Sequence, residues 1–250
     1  MDFISVSKND DIATITLNRG KVNALNEIMV EQLDDCFNDL ESERETASVI
    51  LTGQGKFFSF GFDIPEFLSY PKDDFIRYLT KFTELYTRMF LFSKPIVAAL
   101  NGHTIAGGCM LATACDWRIM VSDRSKISLN EIGFGSSVFA GCAEMLGFCT
   151  GWKNAVTILY SGAMYSAGEA IELGLINMVS SEEDLINEAE RKARDLGGKD
   201  NAAFSSIKGL LRKPVAERMI RRERESIQEF VNIWYSEKTW KKLREIRIKI

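Results

Sequence analysis

Along the first half of the chain the spacing of hydrophobic positions switches repeatedly between two periods. ATITLN (13–18) alternates apolar and polar side chains, the two-residue period of a strand with one buried face. From 26 onward the period lengthens: Met29, Leu33, Cys36, Phe37 and Leu40 share one face of a helix, and Asn26 stands where it can cap the first turn. ASVILTG (47–53) is a continuous apolar run of strand length and reads as a buried strand. Residues 73–92 return to helical spacing, with Phe75, Tyr78, Leu79, Phe82, Leu85, Tyr86, Met89 and Phe90 on one face. Asp73 and Asp74 open that helix, where its dipole favours negative charge. Pro95 begins a second buried strand, PIVAALNG (95–102); the small and apolar residues from Gly107 to Ala114 suit a buried helix; WRIMVS (117–122) is a further strand. Strands alternating with helices predict an α/β fold whose sheet is largely parallel, with helices outside it.

Beyond about residue 140 the pattern is mainly helical, over 140–149, 152–161, 167–173, 183–196, 201–211 and 216–246, with LINMVS (175–180) as the strand exception. Gly197-Gly198 marks a break. It divides the chain into a core over 1–197 and a helical C-terminal region over 198–250. In that region Ile220, Ile227, Phe230, Val231 and Trp234 form one burying face, suited to covering a pocket or packing on a neighbouring subunit. The basic stretch from Arg212 to Arg224 reads as the solvated face of a helix. The sequence contains no internal repeat and no low-complexity tract.

Composition narrows the classes. A chain of 250 residues, 46% of them hydrophobic, can bury the core of one large domain with a small appendage. A net charge of −4 carries no nucleic-acid signature. Cys36, Cys109, Cys115, Cys142 and Cys149 form no CxxC pair and are odd in number, so they read as reduced core thiols of a cytoplasmic protein. MDFISVSKND lacks the basic and apolar regions of a leader, and no apolar run approaches the roughly 20 residues that span a bilayer. The terminal IRIKI is not one of the simple address signals. His103 is the single histidine, which excludes a histidine-rich metal site. No GxSxG elbow accompanies it, so it reads as a structural or pocket-wall residue and no metal is expected. TGQGKF (52–57) lacks the spacing of a dinucleotide or phosphate loop and reads as a turn after a strand.

The candidate chemistry lies in three segments: FFSFGFDI (57–64), HTIAGGCML (103–111) and SLNEIGFG (128–135). Either glycine turn taken singly is a tight turn. Two such turns can also each offer a backbone N–H to one oxygen, the second from the start of an apolar helix whose N-terminal N–H groups are unpaired. Glu131 sits in an otherwise apolar stretch between Leu129 and Ile132, where burial raises a carboxyl toward useful base strength. Asp116, beside Trp117-Arg118, reads as a buried ion-pair partner, and Glu144 in CAEML as an exposed helix residue.

In order and spacing, these segments resemble the crotonase (enoyl-CoA hydratase/isomerase) superfamily over about residues 10–210. The matching stretches are ITLNRGKVNALN (15–26), SVILTGQGKFFSFGFDI (48–64), KPIVAALNGHTIAGGCMLATACDWRIM (94–120), LNEIGFG (129–135) and SAGEAIELGLINMV (166–179). The resemblance implies a crotonase-type spiral of ββα units with a helical C-terminal region, assembled as a homotrimer or a dimer of trimers. It implies a CoA thioester as substrate with no permanently bound cofactor. The thioester carbonyl would be held by the backbone N–H groups of Phe62 and Gly107. Lys21, Val22, Ala24, Ser59, Phe60, Gly61, Asp63 and Ile64 would follow the CoA moiety. Gly108, Met110 and Phe134 would join the substrate site, with Phe139 as a further wall residue. Phe62 fits either the CoA path or the acyl pocket.

One departure separates subfamilies. Hydratases of this superfamily use two glutamates; the first falls here on Met110 and the second on Glu131. Hydration handles water at C3 and a proton at C2, whereas a 1,3-proton shift needs one carboxylate. The local sequences look like the Δ3,Δ2-enoyl-CoA isomerases, which implies conversion of a 3-enoyl-CoA to the trans-2-enoyl-CoA through a thioester enolate. Other crotonase-fold chemistry stays open: a hydratase with an unusual second acid, a thioester hydrolase or a decarboxylase. So does a non-catalytic acyl-CoA-binding protein. A dinucleotide-dependent oxidoreductase is disfavoured by the missing glycine fingerprint.

Overall fold

The computed structural model describes residues 3–122 and 124–246; Met1, Asp2, Asp123 and residues 247–250, most of the terminal IRIKI, lie outside the described residues. Its strands are β1 (Ile4–Asn9), β2 (Ile12–Leu17), β3 (Ser48–Gly53), β4 (Phe57–Ser59), β5 (Ile96–Leu100), β6 (His103–Ile105), β7 (Trp117–Val121), β8 (Ile127–Ser128) and β9 (Met178–Ser180). Its helices are α1 (Glu27–Ser42), α2 (Ile64–Phe67), α3 (Lys72–Leu91), α4 (Gly107–Ala114), α5 (Ala140–Ser161), α6 (Ala167–Glu172), α7 (Leu185–Gly197), α8 (Asn201–Trp234) and α9 (Glu237–Leu243), with a 3₁₀ turn at Glu131–Phe134.

The long strands form one sheet in the order β1-β2-β3-β5-β7-β9, parallel except for the antiparallel β1-β2 pair. Every residue of β3 and β5 is buried, which is why these strands read as continuous apolar runs rather than alternating ones. On one face of this sheet Ile12, Ile50, Val97, Ala99, Ile119 and Val121 pack against Leu185, Ala189 and Ala193 of α7. The opposite face supports the larger core, shared with α1, α3, α4, α5 and α8. The short strands β4, β6 and β8 form a second, parallel sheet. Each of β3, β5 and β7 therefore passes into a short strand and then into helical structure, giving three successive ββα units and the expected spiral.

The helix predictions at 26–40 and 73–92 match α1 and α3. Asn26 Oδ1 accepts from Met29 N at 3.0 Å, and all eight apolar residues named on the α3 face are buried. The predicted break between 149 and 152 falls where α5 kinks, at Gly151 (φ 73°, ψ 150°). Six elements escape the sequence pattern. β1 carries exposed, mostly polar residues after Ile4, β4, β6 and β8 are two or three residues long, and α2 and the 3₁₀ turn span four residues each. The predicted gap between 211 and 216 is absent: α8 runs unbroken through Pro214. Proline normally breaks a helix interior. Here tertiary anchors hold both flanks: before the proline Lys208 Nζ lies 2.8 Å from Asp116 and Arg212 donates to the carbonyls of Phe90, Ala114 and Cys115, and after it Arg218 Nε donates to Glu144 at 2.9 Å.

Two electrostatic readings need revision, and a third gains its partners. Asp116 is an ion-pair partner as expected, half-buried rather than fully buried. Its partners, however, are Lys208 and Arg212 of α8, while the neighbouring Arg118 donates to the Leu175 and Cys115 carbonyls. Glu144 is buried rather than exposed, because Arg218 and Arg222 reach across from α8 to its two oxygens at 2.9 and 3.2 Å. The basic stretch is thus only partly a solvated face: Arg212 is buried and two of its other arginines are paired. No helix among the described residues is long and apolar enough to cross a membrane.

Candidate active site

The segment that leaves β4 is zipped to the loop before α1. Phe60 N donates to Val22 O at 2.9 Å, Leu25 N to Gly61 O at 2.7 Å and Asp63 N to Leu25 O at 3.0 Å. Ser59 supports the bend, its Oγ donating to Asn23 O at 2.7 Å and accepting from Gly61 N at 3.1 Å. Asn23, in the left-handed region at φ 49°, completes the joint through its side chain, which donates to Gln54 O and Phe57 O and accepts from Arg19 N. Asp63 caps α2 by accepting from Glu66 N and pairs with Arg19 at 2.7 Å. Gly61 adopts φ +91°, and a Cβ there would stand 2.9 Å from Gly107 N. The backbone of this bend therefore lies directly against the start of α4.

The residue before α4, Ala106, holds φ 50° and ψ −118°, a conformation that L-residues rarely adopt. Its N–H donates to Ser128 O at 2.8 Å and its carbonyl accepts from Met110 N at 3.0 Å, so it is pinned from both sides. Such strain costs on the order of 1–3 kcal/mol and persists where neighbours over-determine it. The result is a helix that begins abruptly at Gly107, with the positive end of its dipole at that N–H. Among the described residues neither Phe62 N nor Gly107 N has an acceptor. Two adjacent segments thus offer free backbone donors.

The third segment carries the carboxylate. β8 ends at Ser128, and Glu131 starts the 3₁₀ turn, which closes on Gly135 at φ +81°. Glu131 is 4% exposed, and neither carboxylate oxygen has a hydrogen-bond partner. Desolvation lifts this carboxyl from the ordinary 4.5 to about 8. The backbone N–H of the same residue works against that rise.

A cavity of about 370 Å³ joins these parts. Of the residues predicted for the site, Phe60, Phe62, Ile64, Gly107, Met110, Glu131 and Phe134 line it. Ala24, Ser59, Gly61, Asp63 and Gly108 are buried away from it and shape its backbone; Gly108 lets α4 approach β4, since a Cβ there would be 2.6 Å from Ser59 O. Val22 is half-buried and Lys21 exposed on the adjoining loop. The Phe62 ring points toward the interior, edge-on to Phe67, Tyr78 and Phe82. Phe139 stands behind the wall, its ring 6.2 Å from Phe62 and 4.5 Å from Phe230. Sequence reasoning did not place Phe230, Trp234 and Ile246 in this lining. The signal was present in the burying face that includes Phe230 and Trp234, for which the sequence left a pocket and a neighbouring subunit equally open. His103 stays outside the lining, its Nδ1 accepting from Lys126 N at 3.2 Å.

Among the described lining residues Glu131 is the one titratable side chain. A larger groove of about 670 Å³ between α3 and α8 holds Glu223 but neither of the free backbone donors. Among the described residues no group of three His, Cys, Asp or Glu side chains is placed to hold a metal ion. A buried carboxyl facing an apolar cavity that also exposes two backbone N–H groups can move a proton while an oxyanion forms.

Residues 7–244 match the family model described as enoyl-CoA hydratase/isomerase. A probable enoyl-CoA hydratase of Bacillus subtilis is 32% identical over 214 residues, spanning 84% of this chain and 82% of the relative. The short-chain-enoyl-CoA hydratase of Clostridium acetobutylicum is 31% identical over 198 residues, spanning 78% and 76%. The human mitochondrial delta3-delta2-enoyl-CoA isomerase structure superposes with a TM-score of 0.93 at 26% identity, covering 97% of this chain and 95% of that one.

Proposed function

Because the chain belongs to the enoyl-CoA hydratase/isomerase family of acyl-CoA-processing enzymes, we propose that it moves the double bond of a 3-enoyl-CoA to the trans-2 position with one carboxylate. The observation that carries this reading is that Glu131 alone is titratable among the described cavity-lining residues. Ionised Glu131 removes a proton from C2, and the electrons move onto the thioester oxygen. The N–H groups of Phe62 and Gly107 hold that oxyanion; losing one such donor costs about 2.7–4 kcal/mol in other enzymes. Protonated Glu131 then returns the same proton to C4, and the electrons collapse into the conjugated C2–C3 double bond. Nothing is added or lost, so no second acid or base is needed. The position at which hydratases of the resembled family carry their other glutamate is Met110, whose thioether cannot activate water.

The CoA moiety follows Lys21, Val22 and Ala24 and the 59–64 bend, while the acyl chain enters the cavity beside Met110 and Phe134. Exposed apolar side chains on α5 (Phe148, Trp152, Val156, Tyr160) and α8 (Ile207, Leu210, Leu211) support assembly as a homotrimer or a dimer of trimers. The free thiols favour a reducing compartment, the cytoplasm.

A hydratase is the second reading, favoured by the names of the curated relatives. One experiment separates the two: trans-3-hexenoyl-CoA is supplied in heavy-oxygen water, and the products are followed by enoyl-thioester absorbance and mass. The expected result is a rise in absorbance with no oxygen incorporated; oxygen at C3 overturns the isomerase reading. Glu131→Gln is expected to lower kcat by about 10²–10⁴-fold while CoA-ester affinity stays nearly unchanged.

A further inference from the structure

The turn that carries Glu131 is peculiarly exposed for the bearer of a buried base. Ile132 is 50% exposed and Gly133 is exposed, while the Glu131 side chain points inward. A lone 3₁₀ turn has weak hydrogen-bond geometry and holds itself poorly. Its internal bonds include Gly133 N to Asn130 O, Gly135 N to Ile132 O and Glu131 O, and Ser136 N to Glu131 O. Among the described residues the side-chain bonds onto this turn come from α9 alone. Thr239 Oγ1 donates to Gly135 O at 2.7 Å, and Lys242 Nζ reaches Gly133 O at 3.4 Å. Thr239 is 3% exposed, an unusual depth for a threonine in a short helix rich in lysine. The other end of the same elbow is tied down as well: Tyr235 OH donates to Tyr70 O at 2.8 Å, just past α2 and the Phe62 bend.

We propose that α9 is a strap across the site and that Thr239, through Gly135, is a positioning residue that seats Glu131 in the dry cavity. The proposal rests on the reading of Glu131 as the base. With the Thr239 bond lost, the turn opens outward and water reaches carboxylate oxygens that otherwise have no partner. Hydration favours the ionised form, so the acid limb of the rate profile moves down from about 8 toward the ordinary carboxylate range. The other titratable groups beside the turn are Cys109 on α4, Cys142 on α5 and Lys242 on α9; burial pushes both thiols well above neutrality, so the acid limb follows Glu131.

The test compares wild type, Thr239→Val and Thr239→Ser in the full chain. It uses kcat and KM for trans-3-hexenoyl-CoA, the pH–rate profile, and hydrogen exchange of the 131–136 amides. Valine keeps the shape and removes the hydroxyl; serine restores it. Thr239→Val is expected to speed exchange at 131–136 about tenfold, lower kcat about tenfold with KM unchanged, and move the acid limb down by about one pH unit or more. Thr239→Ser is expected to restore all three. Wild-type exchange and an unmoved acid limb in Thr239→Val overturn the strap. Thr239→Ala replaces it if the valine variant is not recovered folded. Full turnover in Glu131→Gln instead overturns the reading of the base, and the exchange data then decide the strap independently.

Discussion

A carboxyl that is desolvated on both oxygens must lose its proton before it can act as a base, and the pH at which it does so is set by its surroundings. With Glu131 raised to about 8, the ionised fraction falls tenfold for each pH unit below that value. The expected kcat/KM therefore climbs with unit slope through the neutral range and levels off above about 8; a plateau already reached at pH 6 would contradict the dry setting. Gly61 sets a second residue-scale condition. Its φ of +91° and the 2.9 Å gap between a Cβ there and Gly107 N leave no room for a side chain. Gly61→Ala is expected to displace one oxyanion donor and cut kcat by about 10²-fold or more, with a smaller change in KM, measured by steady-state kinetics. The need for glycine at 61 was legible in the sequence. Asn23, which holds the same joint from the other side, was not, because a lone asparagine in a loop carries no periodicity.

Between elements, α8 does most of the joining, and one of its contacts starts another helix. α5 has no side-chain cap of its own at Phe139. Glu223 and Ser226 of α8 supply it, accepting from Gly141 N at 2.9 Å and Ala140 N at 3.0 Å. Burial lifts Glu223 to about 7. Glu223→Ala strands the buried Gly141 N–H and is expected to cost about 1–3 kcal/mol, read by chemical denaturation, with Glu223→Gln much milder. Element legibility followed length and amphipathicity. α3 was readable because eight large apolar residues share a face; β1 was not, because it is an exposed polar edge strand recruited by β2. The unbroken α8 was hidden by Pro214, whose penalty is outweighed by contacts far away in sequence, and the burial of Glu144 depended on arginines more than 70 residues on.

At the scale of the whole chain, the proton on Glu131 is linked to folding. The folded carboxyl binds its proton more tightly than the unfolded one. This contribution is full below pH 4.5 and is lost as the pH rises through about 8, a span worth roughly 5 kcal/mol. Glu131→Gln, which cannot ionise, is expected to outlast wild type in thermal denaturation at pH 8.5 and to match it near pH 4. The alternation of strand and helix made the main sheet and its two-sided burial legible from periodicity. The second sheet was not, since strands of two or three residues leave no period to count, and it entered only through family resemblance. Yet that small sheet orders the site. The segments leaving β4, β6 and β8 supply, in turn, the Phe62 donor, the Gly107 donor and Glu131. Neighbouring strands keep a pitch of about 4.8 Å, so the sheet works as a rack with three slots whose separation the rest of the chain does not set. Lengthening the loops on the outer circuit, such as the exposed 181–184 link into α7, leaves the rack untouched. One residue inserted between Ser59 and Phe62 shifts a tooth out of line.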